Sequence, residues 1–350
     1  MKNGKKILSL ILGVTLAIGS FTACGGSGTS TDASNKADGA TEQANGEYKV
    51  LSIGAGGSDE AVSLELANLA YDKGYLEEEL NQVGYTAKIV AFQGAGPEIN
   101  EALASGNVNA AVYGDFPAFT SKSNGIDTTV VATVNKKQQY GILATGDITS
   151  AKDLEGKKVI VPTGTVAQYY WEHYVDQYGI DASKVEIINT TDATSLLSTG
   201  QADAYAMTIP ILEYFSSLGM GKILDDSTKV ENGYTSYLFE VANSVLDENP
   251  EVGVAINKAL IRAYDAAIEN PQDLYEAVSS KQIGADCYAK EYAFDTSFEY
   301  LSPEITDESL IYYKNLNEWL LSHSLISQEV DLDSFFDKSY YQKAVEEIGK

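Results

Sequence analysis

The feature that most constrains this chain is an alternation of short apolar runs with helical stretches, repeated in two places. The stretch "IVAFQGAGPEINEALASGNVNAAVYGDFP", 89–117, reads as strand, loop, helix, strand and a bend closed by Pro117. The stretch "EIINTTDATSLLSTGQADAYAMTIP", 186–210, repeats that grammar and closes on Pro210. Strands separated by helices must lie side by side in a layered α/β arrangement, and a mainly parallel sheet is expected. Upstream, "YKVLSIGAGG" reads as a strand, followed by "SDEAVSLELANLAYDKGYLEEEL" as a helix capped at Ser58 or Asp59 and stopped at Gly74. Pro97 suits the first position of the next helix. The order restarts near Gln139 with "QYGILATGD", then "KKVIVPTGTVAQYYWEHY", a strand running into a helix. After Tyr237 the pattern turns helical, with Val254, Leu260, Ile261, Tyr264 and Ile268 at core-facing spacing. "ITDESLIYYKNLNEWLLSHSLIS" adds an amphipathic helix with capping options at Thr306 and Ser309. A chain of 350 residues exceeds the size at which one core stops growing, about 250–300 residues, so two lobes are expected.

Open α/β sheets bind ligands at the carboxyl ends of their strands. Those ends are candidates here. In the first half they are Gly56, Gly57 and Ser58, then Gln93 and Gly94, then Gly114 and Asp115; in the second, Asp192 and Thr208. Gln93 offers an amide that can donate or accept. Asp115 either repels a plain anion and welcomes an amine, or is a turn residue facing water. Thr163, Gly164 and Thr165 lie where a strand meets a helix start. A helix N-terminus carries unpaired N–H groups and partial positive charge, which suits a small anion. The same three residues also make a good helix cap. Tyr113, Tyr140 and Tyr169 fall near these ends and are able to stack on a ring.

Charge narrows the partners. There are 50 acidic residues against 24 basic ones, and Arg262 is the single arginine. A nucleic-acid partner, which needs a basic footprint, is excluded, and a guanidinium clamp for an anion is nearly unavailable. The two histidines, His173 and His323, and the two cysteines, Cys24 and Cys287, have no metal-site or catalytic spacing. No cofactor, metal or catalytic residue is expected. Cys287 reads as a partly buried small hydrophobe.

The first residues combine a basic start, "MKNGKK", an apolar run, "ILSLILGVTLAIGSF", and "FTAC". A Gly/Ser/Thr/Ala-rich stretch follows. The arrangement resembles a bacterial lipoprotein signal: residues 1–23 removed, Cys24 lipidated, and 24–47 a flexible tether spanning about 25–30 Å. Loss of Lys2, Lys5 and Lys6 would take the net charge from −26 to −29. Lipid rather than charge would then hold the protein to the outer face of the cell membrane.

The motifs "EALASGNVNAAVYGDFP", "ITSAKDLEGKKVIVPTGTVAQYYWEHYVDQYGID", "LLSTGQADAYAMTIP" and "ENPEVGVAINKALIRAYDAAIENPQD" occur in this order. Together they resemble the solute-binding proteins of ABC importers, in the branch that holds nitrate-, sulfonate-, taurine- and thiamine-pyrimidine-binding proteins. The likeness runs from about Tyr48 to Ile283. It departs from the group at Asn109-Ala110-Ala111, where relatives usually read Asp-Val-Ala, and in the acidic, glycine-rich first loop. The resemblance implies a type II periplasmic-binding-protein fold, with lobe one at 48–139 and 238–350 and lobe two at 140–237. The crossings would lie near Val134–Tyr140 and Ser236–Glu240. It implies a monomeric, non-enzymatic binder that takes a small sulfonate- or taurine-like solute and delivers it to a membrane permease. A thiamine-precursor pyrimidine or nitrate is the alternative, and a pyrimidine synthase of the same fold the rival class. The ligand-binding set expected is Gly57, Ser58, Gln93, Gly94, Asp115, Tyr140, Thr163, Gly164, Thr165 and Thr208.

Overall fold

The computed structural model describes residues 48–58 and 61–350. The leader, the tether, Cys24 and the cap at Asp59 lie outside the described residues. Strand β1 (Lys49–Ser58) is followed by β2 (Ala61–Ser63), which pairs back on it antiparallel, Gly57 opposite Val62. This pairing occupies the stretch expected to open a helix. A Cβ on Gly57, at φ +133, would sit 2.2 Å from the Ala61 carbonyl oxygen, so the pairing needs glycine there. The helix starts only at α1 (Leu66–Asp72). Gly74, at φ +75, ends that run as expected and also opens α2 (Tyr75–Gln82).

Then come β3 (Tyr85–Phe92), α3 (Gly96–Ser105) with Pro97 in its first turn, β4 (Ala110–Gly114), α4 (Asp115–Ser123) and β5 (Thr128–Gln138). The second group is β6 (Tyr140–Ala144), β7 (Lys158–Ile160), α5 (Val166–Tyr178), β8 (Glu186–Ile188), α6 (Thr194–Ser198), β9 (Ala204–Thr208), α7 (Ile209–Ser217) and β10 (Lys222–Asp226). The chain returns through β11 (Thr235–Ala242) to α8 (Asn243–Glu248), α9 (Glu251–Glu269), α10 (Pro271–Val278), α11 (Ala285–Tyr292), α12 (Asp307–Ser322), α13 (Leu332–Phe335) and α14 (Ser339–Ile348).

Two sheets result. The first runs β2-β1-β4-β11-β5 with β3 beside β1; the second runs β10-β6-β9-β7-β8. They are mixed rather than mainly parallel. The β1–β3, β1–β4, β7–β8 and β7–β9 pairs are parallel, as their helical crossovers require. Strands that enter or leave a sheet from its neighbour run the other way: β11 is antiparallel to both β4 and β5, and β6 to β9 and β10. The helical C-terminal part therefore begins later than Tyr237, because β11 continues to Ala242 as an inner strand of the first sheet. Thr235 pairs with Gln138, so the two connections between the sheets lie side by side.

Helix α9 buries Val252, Ile256, Leu260 and Ala263 against α1, α2 and the first sheet. Ile268, expected in the core, is 48% exposed at the end of that helix. Beneath the cleft one apolar cluster bridges the sheets, joining Phe119 and Tyr313 to Tyr140, Tyr170 and Tyr174. Among the described residues no helix is long and apolar enough to cross a membrane.

Candidate functional site

A cleft of about 440 Å³ opens between the sheets. From the first sheet it is lined by Gly56, Gly57 and Ser58 at the end of β1, Gln93 after β3, and Gln138 and Tyr237 on the connecting strands. From the second come Thr191 and Asp192 after β8, and Met207 and Thr208 at the end of β9. Tyr214 and Tyr288 close one side. Strand ends of both sheets thus converge, as the topology of such sheets dictates. Thr191 Oγ1 reaches across to the Gln93 carbonyl at 3.5 Å.

Of the expected residues, Gly57, Ser58, Gln93 and Thr208 line this cleft. Thr208 precedes the first turn of α7 but makes no capping bond with its side chain. Tyr140 and Thr165 line a separate recess of about 60 Å³, which shares Gly56, Ala95, Thr191, Met207 and Tyr237 with the main cleft. Tyr140 is buried, its ring 6.3 Å from that of Tyr170.

The remaining expected residues are engaged elsewhere. The Thr163 N–H donates to Asn189 Oδ1 at 3.0 Å and the Gly164 N–H to Gln168 Oε1 at 2.8 Å. Thr165 caps α5, accepting from the Ala167 N–H at 3.2 Å and donating to the Pro162 carbonyl at 2.7 Å. The chain's own groups therefore already engage the Thr163 and Gly164 N–H groups and the Thr165 hydroxyl, three of the donors that an anion was expected to use. Gly164, at φ +73, instead packs toward Pro97 of the other lobe. Gly94 turns toward α3, its N–H donating to Glu98 Oε2 at 2.9 Å. Asp115 is fully buried. It accepts from the N–H groups of Phe116 and Ser236, both at 2.8 Å, and from the Tyr312 hydroxyl at 2.7 Å. Burial raises its carboxyl to about 6, with Tyr312 and the two amides pulling the other way. It is not a turn residue facing water, and its carboxylate is engaged inside the fold.

His173, expected at the surface or in packing, stacks on Trp319 with ring centres 5.0 Å apart, and burial lowers it to about 4. Cys287 is half-buried, and burial raises its thiol. Among the described residues no cluster of three or more histidine, cysteine or carboxylate groups is arranged to hold a metal ion.

Glu65 was not foreseen. It lines the cleft, is buried, and sits at φ 53 just before α1, a conformation rare for a side-chain-bearing residue. Its carboxylate accepts from the Ser63 hydroxyl at 3.2 Å, the Asn135 amide at 3.2 Å and the Tyr292 hydroxyl at 2.9 Å. Its only signal in the sequence is a lone acid inside the apolar run "VSLELANLA".

Comparison with known proteins agrees with this architecture. Residues 68–274 match the family described as NMT1/THI5 like. The taurine-binding periplasmic protein of Escherichia coli is 26% identical over 182 residues, 51% of this chain and 56% of that one. A putative aliphatic sulfonates-binding protein of the same organism is 23% identical over 172 residues, 48% of this chain and 51% of that one. The chain thus spans about half the length of the curated relatives it matches. Among solved structures, a putative periplasmic sulfonate-binding protein from Methylobacillus flagellatus superposes with a TM-score of 0.71 at 20% identity, over 87% of this chain and 96% of that one. The fold is that of two-lobed periplasmic binding proteins, and with more than half its length matched, the chain belongs to the NMT1/THI5-like family.

Proposed function

We propose that this protein is the extracytoplasmic solute-binding component of an ABC importer. It captures a small organic solute of the sulfonate or taurine kind between its lobes and delivers it to a membrane permease. The observation that carries this reading is the cleft itself: strand ends of two sheets converge on it, and among the described residues the chain passes between those sheets twice, from β5 to β6 and from β10 to β11. Two lobes on a pair of adjacent connections close around a ligand when contacts made in the closed form outweigh those of the open one. Ser58 and Thr208 hydroxyls and the Gln93 amide supply uncharged hydrogen bonds to the solute. The curated relatives carry the names of binding proteins, which supports capture without turnover. In this reading the protein acts as a monomer, tied through lipid on Cys24 to the outer face of the membrane.

The tyrosines of the cleft, Tyr205, Tyr214, Tyr237 and Tyr288, favour a second reading, a flat heterocycle such as a thiamine-precursor pyrimidine stacked between rings. A thermal-shift screen of taurine, alkanesulfonates, nitrate and aminopyrimidines separates these readings. A ligand at 100 times its Kd stabilises by about 2.7 kcal/mol. Unchanged ligand recovered after prolonged incubation identifies a binder; a new product identifies an enzyme.

A further inference from the structure

Among the described residues the charged side chains lining the cleft are Glu65 and Asp192, and no lysine, arginine or histidine of that set lines it. Glu65 is 3% exposed and held only by neutral donors. A second buried carboxylate, Glu291, belongs to the same network. Its Oε1 accepts from Gln138 Nε2 at 2.8 Å, while its Oε2 has no hydrogen-bond partner among the described residues. Gln138 lines the cleft, is 2% exposed, and its own Oε1 is also without a partner. Burial raises both carboxyls, and the neighbouring Glu65 pushes Glu291 higher still.

Buried acceptors left unpaired, beside carboxylates with no counter-charge, are costly. A cation that donates hydrogen bonds is the ligand chemistry that relieves this cost. A plain anion meets two carboxylates and no positive group. The strained backbone of Glu65, at φ 53, fits a residue held in place at a ligand clamp. Tyr237 and Tyr288 stand close enough to Glu65 for its charge to act on their hydroxyls, and both line the cleft. Tyrosine rings around such a point suit a cation.

We propose that the cleft selects a solute bearing a protonated nitrogen, whose N–H groups donate to the Glu65 carboxylate, with Asp192 adding charge from the other lobe. This rests on the reading of the cleft as the solute site. It separates the protein from binders of nitrate or of simple alkanesulfonates. A site built around buried acceptors rejects an analogue that lacks the donors by a large factor, on the order of 10⁴-fold where pairing is complete.

The test is calorimetric titration of the purified chain with two matched pairs: taurine against propane-1-sulfonate, and 4-aminopyridine against 4-methylpyridine. In whichever pair binds, the member with the protonated nitrogen, taurine or 4-aminopyridine, is expected to bind at least about 30-fold more tightly, a modest fraction of that limit. Glu65→Gln should weaken that member by about 10- to 100-fold, the range of a hydrogen bond to a charged group. Should Glu65→Gln fail to fold, Asp192→Asn, at an exposed position, serves in its place, with a loss of about threefold or more. If the amine-free member binds as well as its partner, or both variants bind like the parent, the proposal is overturned and the solute-binding reading stands. If no member of either pair binds, both fall.

Discussion

The carboxylate of Asp115 accepts the backbone N–H of Ser236 at 2.8 Å, fastening the first turn of α4 to the start of the strand that returns from the second lobe. The Tyr312 hydroxyl, from α12, donates to the same oxygen at 2.7 Å. The Ser236 side chain in turn donates to the Asn135 carbonyl on β5 at 3.1 Å. One buried acid thus positions both connections between the lobes. Asp115→Ala would strand the N–H groups of Phe116 and Ser236 and leave the Tyr312 hydroxyl only its 3.4 Å bond to the Tyr234 carbonyl, and leaving a buried N–H unpaired costs about 1–3 kcal/mol. Urea unfolding should show a loss of at least that size, whereas Asp115→Asn, which keeps one acceptor, should lose less. An alanine variant as stable as the parent would contradict this role.

Glu240, on β11, gives the stability a particular dependence on pH. It accepts from the Tyr113 hydroxyl at 2.8 Å and from the Thr128 hydroxyl, and burial raises it from 4.5 to about 7. A carboxyl with raised affinity for its proton in the folded state favours folding below its ordinary value. That contribution is full below about pH 4.5 and is lost as the pH rises through about 7. Its size is on the order of 3 kcal/mol. The parent should therefore melt higher at pH 5.5 than at pH 8, and Glu240→Gln should narrow that difference. An equal difference in parent and variant would rule Glu240 out as its source.

What the sequence could and could not disclose follows from how far each feature reaches along the chain. The α/β grammar is local, so strand ends such as Ser58, Gln93 and Thr208 could be located from their own neighbours, and they line the cleft. The pairing of β1 with β2 hid inside a helical pattern, because Gly57 and Val62 meet through backbone bonds that leave no side-chain period. Thr163 to Thr165 had the right chemistry for an anion, but Asn189 and Gln168 reach their N–H groups first. The burial of Asp115 and the place of Glu65 at the cleft were hidden for a similar reason. Their surroundings come from residues as distant as Tyr312 and Tyr292, and only the folded chain brings these together.

Gly164 faces Pro97 across the divide between the lobes, so its substitution tests closure. A Cβ there would lie 3.2 Å from Pro97 Cγ, across the divide between the lobes, and φ +73 disfavours any other residue. Gly164→Val should cost about 1–2 kcal/mol in backbone strain and hold the loop away from Pro97. Binding should weaken by about tenfold, the equivalent of 1.4 kcal/mol. Full affinity in this variant would show that the loop moves independently of ligand capture.

Cys24→Ser tests the anchor separately from the fold. If lipid on this sulfur holds the protein at the membrane, the variant should leave the membrane fraction for the soluble one with ligand affinity unchanged. Continued sedimentation with membranes would remove the lipid from the account.

Two threonines at helix starts set a structural hydroxyl against one proposed to bind solute. Thr165 uses its side chain fully, accepting from the Ala167 N–H and donating to the Pro162 carbonyl. Thr208 holds the equivalent position before α7, makes no capping bond, and faces the cleft. Valine keeps the shape of threonine and removes only the oxygen. Thr165→Val should therefore lose about 1 kcal/mol of stability, as the loss of a helix cap does, with little change in affinity. Thr208→Val should keep its melting temperature and bind solute about 5- to 10-fold more weakly, the worth of one hydrogen bond to a ligand. Denaturation and titration on the two variants decide the matter. If Thr165→Val were the one that lost affinity, the ligand would lie in the recess beside Tyr140 and not in the larger cleft.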